Sequence, residues 1–344
     1  MLIKPYLFRM LLLCSIILAG VSGCDTRFKV DALLSQYVAD LNRSQYFSLI
    51  ALATVMPESL PSFRFRQQPL TKFDIGLLDF LSLQQCDVGV IAGRKNSILG
   101  KVMTDSQRFL YELDIIRAIE SCDLKESELS ATLRSVAQQK RRELPKAFGN
   151  ALFNGKESEA FFSLSNGFVP LNYSTAEQQE LLDALGRLVV IGEQLSNLPK
   201  VESVIFEGDL KILMDSEYAG RLLYSLMQLT EYLKSVSGVI AHQGDEVCGA
   251  PIVFLKQQFE RHYVQQIQPY MGRINQSAYQ VLPLLTRLVS LSSPHTEPLD
   301  RFLGQLDFES DKSVWQEYQR ASQQHAGYWS ALFERCALPL TAAG

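Results

Sequence analysis

The chain has 344 residues, with 33 Lys and Arg against 37 Asp and Glu, for a formal net charge of -4. An apolar fraction of 47% with 20% charged residues is that of a folded globular protein and excludes wholesale disorder. The acidic balance argues against nucleic acid as a partner, and the absence of any run of about eighteen consecutive apolar residues excludes a multi-pass helical membrane protein.

Residues 1–23 have the three zones of a secretory signal peptide: Lys4 and Arg9, then Met10 to Leu18, apolar except for Ser15, then the small residues Ala19, Gly20, Ser22 and Gly23. The apolar run is too short to span a bilayer. Val21-Ser22-Gly23-Cys24 resembles the bacterial lipobox, which implies cleavage before Cys24 and acylation of its thiol. Two or more acyl chains there would hold the protein stably on a membrane. An ordinary leader with a chance cysteine is the plainer alternative. Asp25 resembles the signal that retains lipoproteins in the inner membrane of enteric-type bacteria. The expected location is therefore the periplasmic face of the bacterial cell membrane, with the inner membrane favoured. The leader carries away two basic residues and no acid, so the mature body is more acidic still. It should not adhere to anionic lipid unaided.

Beyond the leader the pattern is helical. A first helix is predicted near Val30–Asn42, an irregular loop with three prolines runs from Met56 to Pro69, and another helix covers Asp74–Gln85. Gly93 to Lys101 has the outline of a phosphate loop, but six residues separate its glycines and Val102 stands where a magnesium-binding hydroxyl belongs, so a nucleotide site is rejected. Arg94, Lys95, Lys101 and Arg108 crowd around the start of a helix predicted over Ser106–Ser121. Cations at a helix N-terminus favour an anionic partner, which makes these four residues a candidate anion or partner surface; the plainer reading is a solvated loop. Lys140-Arg141-Arg142, late in a helix over Glu126–Glu143, reads as an exposed basic face.

Asn166 to Pro170 marks a boundary between an N-terminal half (24–168) and a C-terminal half (169–344). Ser174-Thr175-Ala176-Glu177 forms a capping box before Leu181, Leu185, Leu188 and Leu195. A short helix is expected over Leu210–Glu217, and Leu222, Leu226, Leu229, Leu233 and Val236 define one apolar helix face. His242-Gln243-Gly244-Asp245-Glu246 reads as a polar loop rather than a metal-binding turn. Pro251 opens a helix through Leu255, Phe259, Tyr263 and Ile267, followed by helices near Ile274–Leu291 and Ser313–Phe333 with Ser292-Ser293-Pro294 between them. Trp315, Tyr318, Trp329 and Phe333 read as core. His262, His295 and His325 are scattered, and solvated or capping roles are expected of them. The architecture that follows is all-α, as two packed helical bundles or one elongated bundle.

Four cysteines besides Cys24 lie in the mature chain, and an even count in an oxidising compartment reads as two disulfides. Of three pairings, Cys86–Cys122 with Cys248–Cys336 is favoured, because each bridge then stays within one half. A metal or haem site lacks the close Cys-x-x-Cys spacing it would need, and the sequence implies no cofactor.

The stretches Leu77-Leu78-Asp79-Phe80-Leu81 through Cys86, Arg94-Lys95-Asn96-Ser97-x-Leu99-Gly100-Lys101-Val102-Met103 and Ser106-Gln107-Arg108-x-Leu110-Tyr111-Glu112-Leu113 resemble an uncharacterised gammaproteobacterial lipoprotein family, domain of unknown function 3080. Leu222-Leu223-x-Ser225-Leu226, Leu229-Thr230-x-Tyr232-Leu233 and the Trp329–Cys336 region are similar to it too. The resemblance covers nearly the whole mature chain, implies a lipoprotein and brings no activity with it. The imelysin-like periplasmic proteins are also all-helical, but their Gly-x-His-x-x-Glu motif is not met: Ile240 and Asp245 flank His242 at the diagnostic positions. The functional expectation is a lipid-anchored helical protein that binds an envelope protein partner. An enzyme or small-anion carrier with a site near the Arg94–Arg108 loop is the alternative, and catalysis is left open.

Overall fold

Val30, Leu34, Tyr37 and Leu41 recur at helical spacing in the first described helix, α1 (Arg27–Leu41), and all four are buried. The computed structural model describes residues 27–49, 55–71, 83, 86–96, 99–123, 128–173 and 175–338. Residues 1–23, read above as a signal peptide, with Cys24, Asp25, Ser174 of the capping box and most of the helix expected over Asp74–Gln85, fall outside these residues. The later helices are α2 (Phe63–Arg66), α3 (Asp87–Asn96), α4 (Asp105–Ser121), α5 (Glu128–Phe153), α6 (Lys156–Phe161), α7 (Thr175–Glu193), α8 (Ser203–Ser216) and α9 (Tyr218–Ala241). They are followed by α10 (Ala250–Gln258), α11 (Gln268–Leu291), α12 (Glu297–Gly304) and α13 (Val314–Arg335). Among the described residues there is no strand, as the all-α reading requires, and no helix long and apolar enough to cross a membrane.

The leucine stripe of α9 is buried throughout and packs on α13. The two helices run parallel, since Lys234 pairs with Glu317 and Ser237 Oγ lies 3.1 Å from His325 Nδ1. At the start of α9 the backbone of Ser163 passes so close to Gly220 that any side chain there would collide with its carbonyl. A large apolar cluster joins α1 and residues of α4 to α13, drawing on both sides of Phe168. A satellite cluster lies apart, with Val88 and Ala92 of α3, Tyr111, Ile115 and Ile119 of α4, and Leu133 and Ala137 of α5.

Both favoured disulfides are present. Cys86–Cys122 (Cα–Cα 5.6 Å) ties the start of α3 to the end of α4 over the satellite core. Cys248–Cys336 (Cα–Cα 5.1 Å) joins the approach to α10 with the end of α13. With sequence separations of 36 and 88 residues, each constrains the unfolded chain by about 4 kcal/mol.

The helix expected from Leu210 begins already at Ser203, and three further stretches depart from expectation. The presumed loop around Gly93 is mostly helical, because α3 buries Val88 and Ala92 under the first disulfide. α5 continues past Glu143 through Pro145 to Phe153, its added turns burying Leu144, Ala147, Phe148 and Leu152. The two helices expected on either side of Pro269 are one unbroken run from Ala250 to Leu291, with the turns over Phe259–Ile267 widened to π geometry. Proline lacks an N–H and its ring crowds the carbonyl four residues back, and the wider turn just before Pro269 accommodates both.

The π segment carries His262 inward. Its Nε2 lies 2.8 Å from Asp40 Oδ2, and Gln36 and Arg43 also reach Asp40, each at 3.0 Å. The hydrogen bond from Gln36, then those of His262 and the charge of Arg43, hold the Asp40 carboxyl below its usual range against the effect of burial. His325 is fully buried between Tyr263 and Trp329. The solvated or capping role expected of these two histidines is therefore wrong: aromatic packing and, for His262, a carboxylate on α1 place them in the core.

Burial pushes the His325 imidazole down from 6.5 to about 3. Between those values the unfolded chain takes up a proton that the folded chain refuses, so stability falls as pH drops from 6.5. Over pH 7 to 5 this one group should remove about 2 kcal/mol of stability. Urea titrations of His325→Phe should show a pH 7 to 5 loss smaller than wild type by about that amount, and an unchanged loss would refute the assignment.

Candidate functional site

Thr104 caps α4, its hydroxyl accepting from the Gln107 amide at 3.3 Å, so the helix opens at Asp105. Gly100 lets the preceding one-turn helix (Leu99–Val102) close against the carbonyls of Arg94 and Lys95, where a side chain would not fit. Sequence-adjacent cations are thereby drawn together, but Arg94, Lys95 and Arg108 are all engaged by residues of α4. Arg94 pairs with Asp114 at 3.5 Å, and Asp114 also meets Arg117. Lys95 and Arg108 both lie 5.9 Å from the centre of the Tyr111 ring. Arg108 Nε donates to Glu112 Oε1 at 2.7 Å, and Lys140 Nζ from α5 donates to Glu112 Oε2 at 2.5 Å. The side chain of Lys101 lies outside the description.

Glu112 and Lys140 are each only 5% exposed, so Lys140 is a buried half of an ion pair and not part of an exposed basic face. Arg141 likewise grips Glu120 with Nε and Nη2 at 2.5 and 2.7 Å. Asp105 occupies the positive first turn of α4 with its own carboxyl, which burial raises above its usual range while hydrogen bonds from Asn154 and Gln67 and the charge of Arg108 oppose the rise.

An open groove of about 530 Å³ lies beside this turn, lined by Arg108 and Asp105 on one side and by Phe63, Arg64, Gln67 and Gln68 on the other. The second wall was read from sequence only as a proline-containing loop. It is an extended strap laid along α5. Arg66 Nη1 donates to the Phe153 carbonyl at 3.0 Å and to Ser158 at 3.3 Å, while Nη2 pairs with Glu159 at 2.5 Å. Gln68 N–H donates to Asn150 Oδ1, and Asn150 Nδ2 donates back to the Gln68 carbonyl, both at 2.9 Å. Thr71 donates to both carboxylate oxygens of Glu143, from its amide at 2.9 Å and its hydroxyl at 2.5 Å.

The same two-way amide grip recurs on the approach to the strap. Gln305 accepts from Glu58 N–H at 3.0 Å and donates to its carbonyl at 3.2 Å, and Asn42 treats Leu49 alike at 2.9 Å each way. The result inverts the usual placement of residues in Phe63-Arg64-Phe65-Arg66. Arg66 is 1% exposed, whereas Phe63 and Phe65 are 47% and 56% exposed, with Met56 at 54%. The repeated Phe-Arg dipeptide is the one sequence signal that could have drawn attention to this segment.

The His242–Glu246 turn behaves as a loop: His242 Nδ1 bonds the Gly238 carbonyl at 2.6 Å and Gly244 N–H donates to Glu246. Among the described residues no group of three His, Cys, Asp or Glu is arranged to hold a metal ion.

Residues 34–340 match the family described as protein of unknown function (DUF3080), and the chain belongs to that family. No curated protein and no solved structure matches it.

Truncating Glu112 should be costly, because it strands the Lys140 ammonium in a dry site. Glu112→Ala is expected to lose about 3 to 5 kcal/mol in chemical denaturation, while Glu112→Met combined with Lys140→Met recovers most of that. A loss below about 1 kcal/mol for the single variant would show that the pair is not buried in solution.

Proposed function

We propose that this member of the DUF3080 family is a lipid-anchored protein on the periplasmic face of the cell membrane, held through Cys24, whose role is to bind a protein partner in the envelope. The lipobox-like Val21-Ser22-Gly23-Cys24 supports the anchor, and Asp25 favours the inner membrane. The partner-binding role rests on the inversion at α2. A segment that buries Arg66 beneath itself and leaves two phenylalanines half in water holds an apolar surface in place at the expense of ordinary burial. The fastenings to α5 and α6 keep that surface rigid, which lowers the ordering cost of binding. Arg94 on α3 pairs with Asp114 on α4, and Arg108 shares Glu112 with Lys140 of α5, so these cations contribute chiefly by bracing the three helices behind the groove.

The alternative, an enzyme or a small-anion carrier near Arg94–Arg108, draws on the open groove that Arg64 and Arg108 share. Two pairs of substitutions separate the readings. Phe63→Ser with Phe65→Ser should change stability by no more than about 0.5 kcal/mol yet abolish photo-crosslinks formed in intact cells. Lys95→Glu with Lys101→Glu should leave those crosslinks in place. The opposite result would favour the anion site. Separately, Cys24→Ala should accumulate as unprocessed precursor without incorporated fatty acid, and wild-type protein that takes up none would remove the anchor from the account.

A further inference from the structure

A second cavity, of about 290 Å³, opens between the end of α5, α6, α11 and α12. Its floor is apolar: Phe153, Phe162, Leu285, Leu303 and Leu306 line it and are all nearly fully buried. Phe162 is held edge-on by Phe302 at 5.4 Å, so the aromatic wall is fixed. The polar groups are Thr286, Ser290, Asp300 and Asp307, and no lysine, arginine or histidine is among the lining residues. The Thr286 hydroxyl already accepts from the Phe308 amide at 3.0 Å, which leaves its proton to give.

Two carboxylates over an apolar slot, with no lining cation to answer them, specify the charge of what fits. The surrounding sequence carries the same sign: from Glu297 to Asp311 there are Glu297, Asp300, Asp307, Glu309 and Asp311 against the single cation Arg301. That cation is already engaged with Glu297 at 2.7 Å. His295 Nδ1 lies 3.7 Å from Asp300 Oδ1, and Asp307 accepts from the Glu309 amide at 3.0 Å; both carboxylates keep further acceptor capacity. Asp300 is 73% exposed at the mouth, where it can meet an arriving ion without first being desolvated. The volume is at the small end for ligand sites, which favours a compact organic ion over a polymer segment.

We propose that this cavity binds a small organic cation, an ammonium group carried on an aromatic or short aliphatic body, with the body on the phenylalanine and leucine floor and the ammonium between Asp300 and Asp307. The site is independent of the Phe63–Phe65 surface and would stand if that reading failed.

Benzylammonium chloride is a suitable probe, with benzyl alcohol and benzoate as neutral and anionic controls of the same shape. Titrated into the mature chain and followed by ligand-observed NMR, benzylammonium should bind saturably and at least about tenfold more tightly than either control. Asp300→Asn with Asp307→Asn should weaken it by about tenfold or more without shifting the melting temperature, since a charge-assisted contact is lost from an open mouth. Leu303→Trp should block the slot and abolish binding. That variant could disturb packing, so the asparagine pair carries the decision. Absence of saturable binding up to about 10 mM, equal binding of benzyl alcohol, or full affinity in the asparagine pair would each overturn the proposal.

Discussion

An extended segment must find partners for its backbone N–H and C=O groups outside itself, and among the described residues there is no strand to supply them. Here the side chains of Asn42, Gln305 and Asn150 take the place of a neighbouring strand, each returning both bonds to a single backbone residue. On that device depends the course of the strap from Glu58 to Thr71. The groove wall, the outward phenylalanines of α2 and the position of Gln305 between residues of the second cavity follow from it. Arg66 completes the fastening from within, its guanidinium meeting a carbonyl, a hydroxyl and a carboxylate at once.

The helical faces were legible in the sequence because they are local. The stripe of α9 needs only four-three spacing, and the core roles of Trp315, Tyr318, Trp329 and Phe333 need only apolar bulk. The disulfides were legible because few pairings exist. The charged interior was not. Lys140 is buried by a glutamate 28 positions earlier, and Arg66 by a carbonyl 87 positions later. Nothing in the neighbourhood of either residue encodes that partner, so a run such as Lys140-Arg141-Arg142 looks like a wet surface. The histidines show the same limit, since His262 turns inward only where the turns before Pro269 widen and meet Asp40 on α1.

Arg94, Lys95 and Arg108 around α4 illustrate how proximity in sequence differs from convergence in space. α3 and the glycine-dependent turn after it bring them close, but the carboxylates of Asp114 and Glu112 and the ring of Tyr111 hold Arg94, Arg108 and Lys95 each in a separate place. The effect is mechanical: Arg94 and Lys95 tie α3 to α4, and Arg108 and Lys140 share Glu112 to tie α4 to α5, around the satellite core that the Cys86–Cys122 bridge closes at its far end. The strap is laid against the later turns of α5, so the stiffness of that helix group is passed to the apolar surface of α2.

Side-chain amides are also among the thermally labile groups of a protein. Hydrolysis of the Asn150 amide to a carboxylate would exchange its Nδ2–H for an oxygen facing the Gln68 carbonyl, turning attraction into repulsion. Asn42 and Gln305 carry the same vulnerability toward Leu49 and Glu58. A single atom exchanged at Asn150 would thus release this part of the strap while the helix and the bridges beneath it stayed in place.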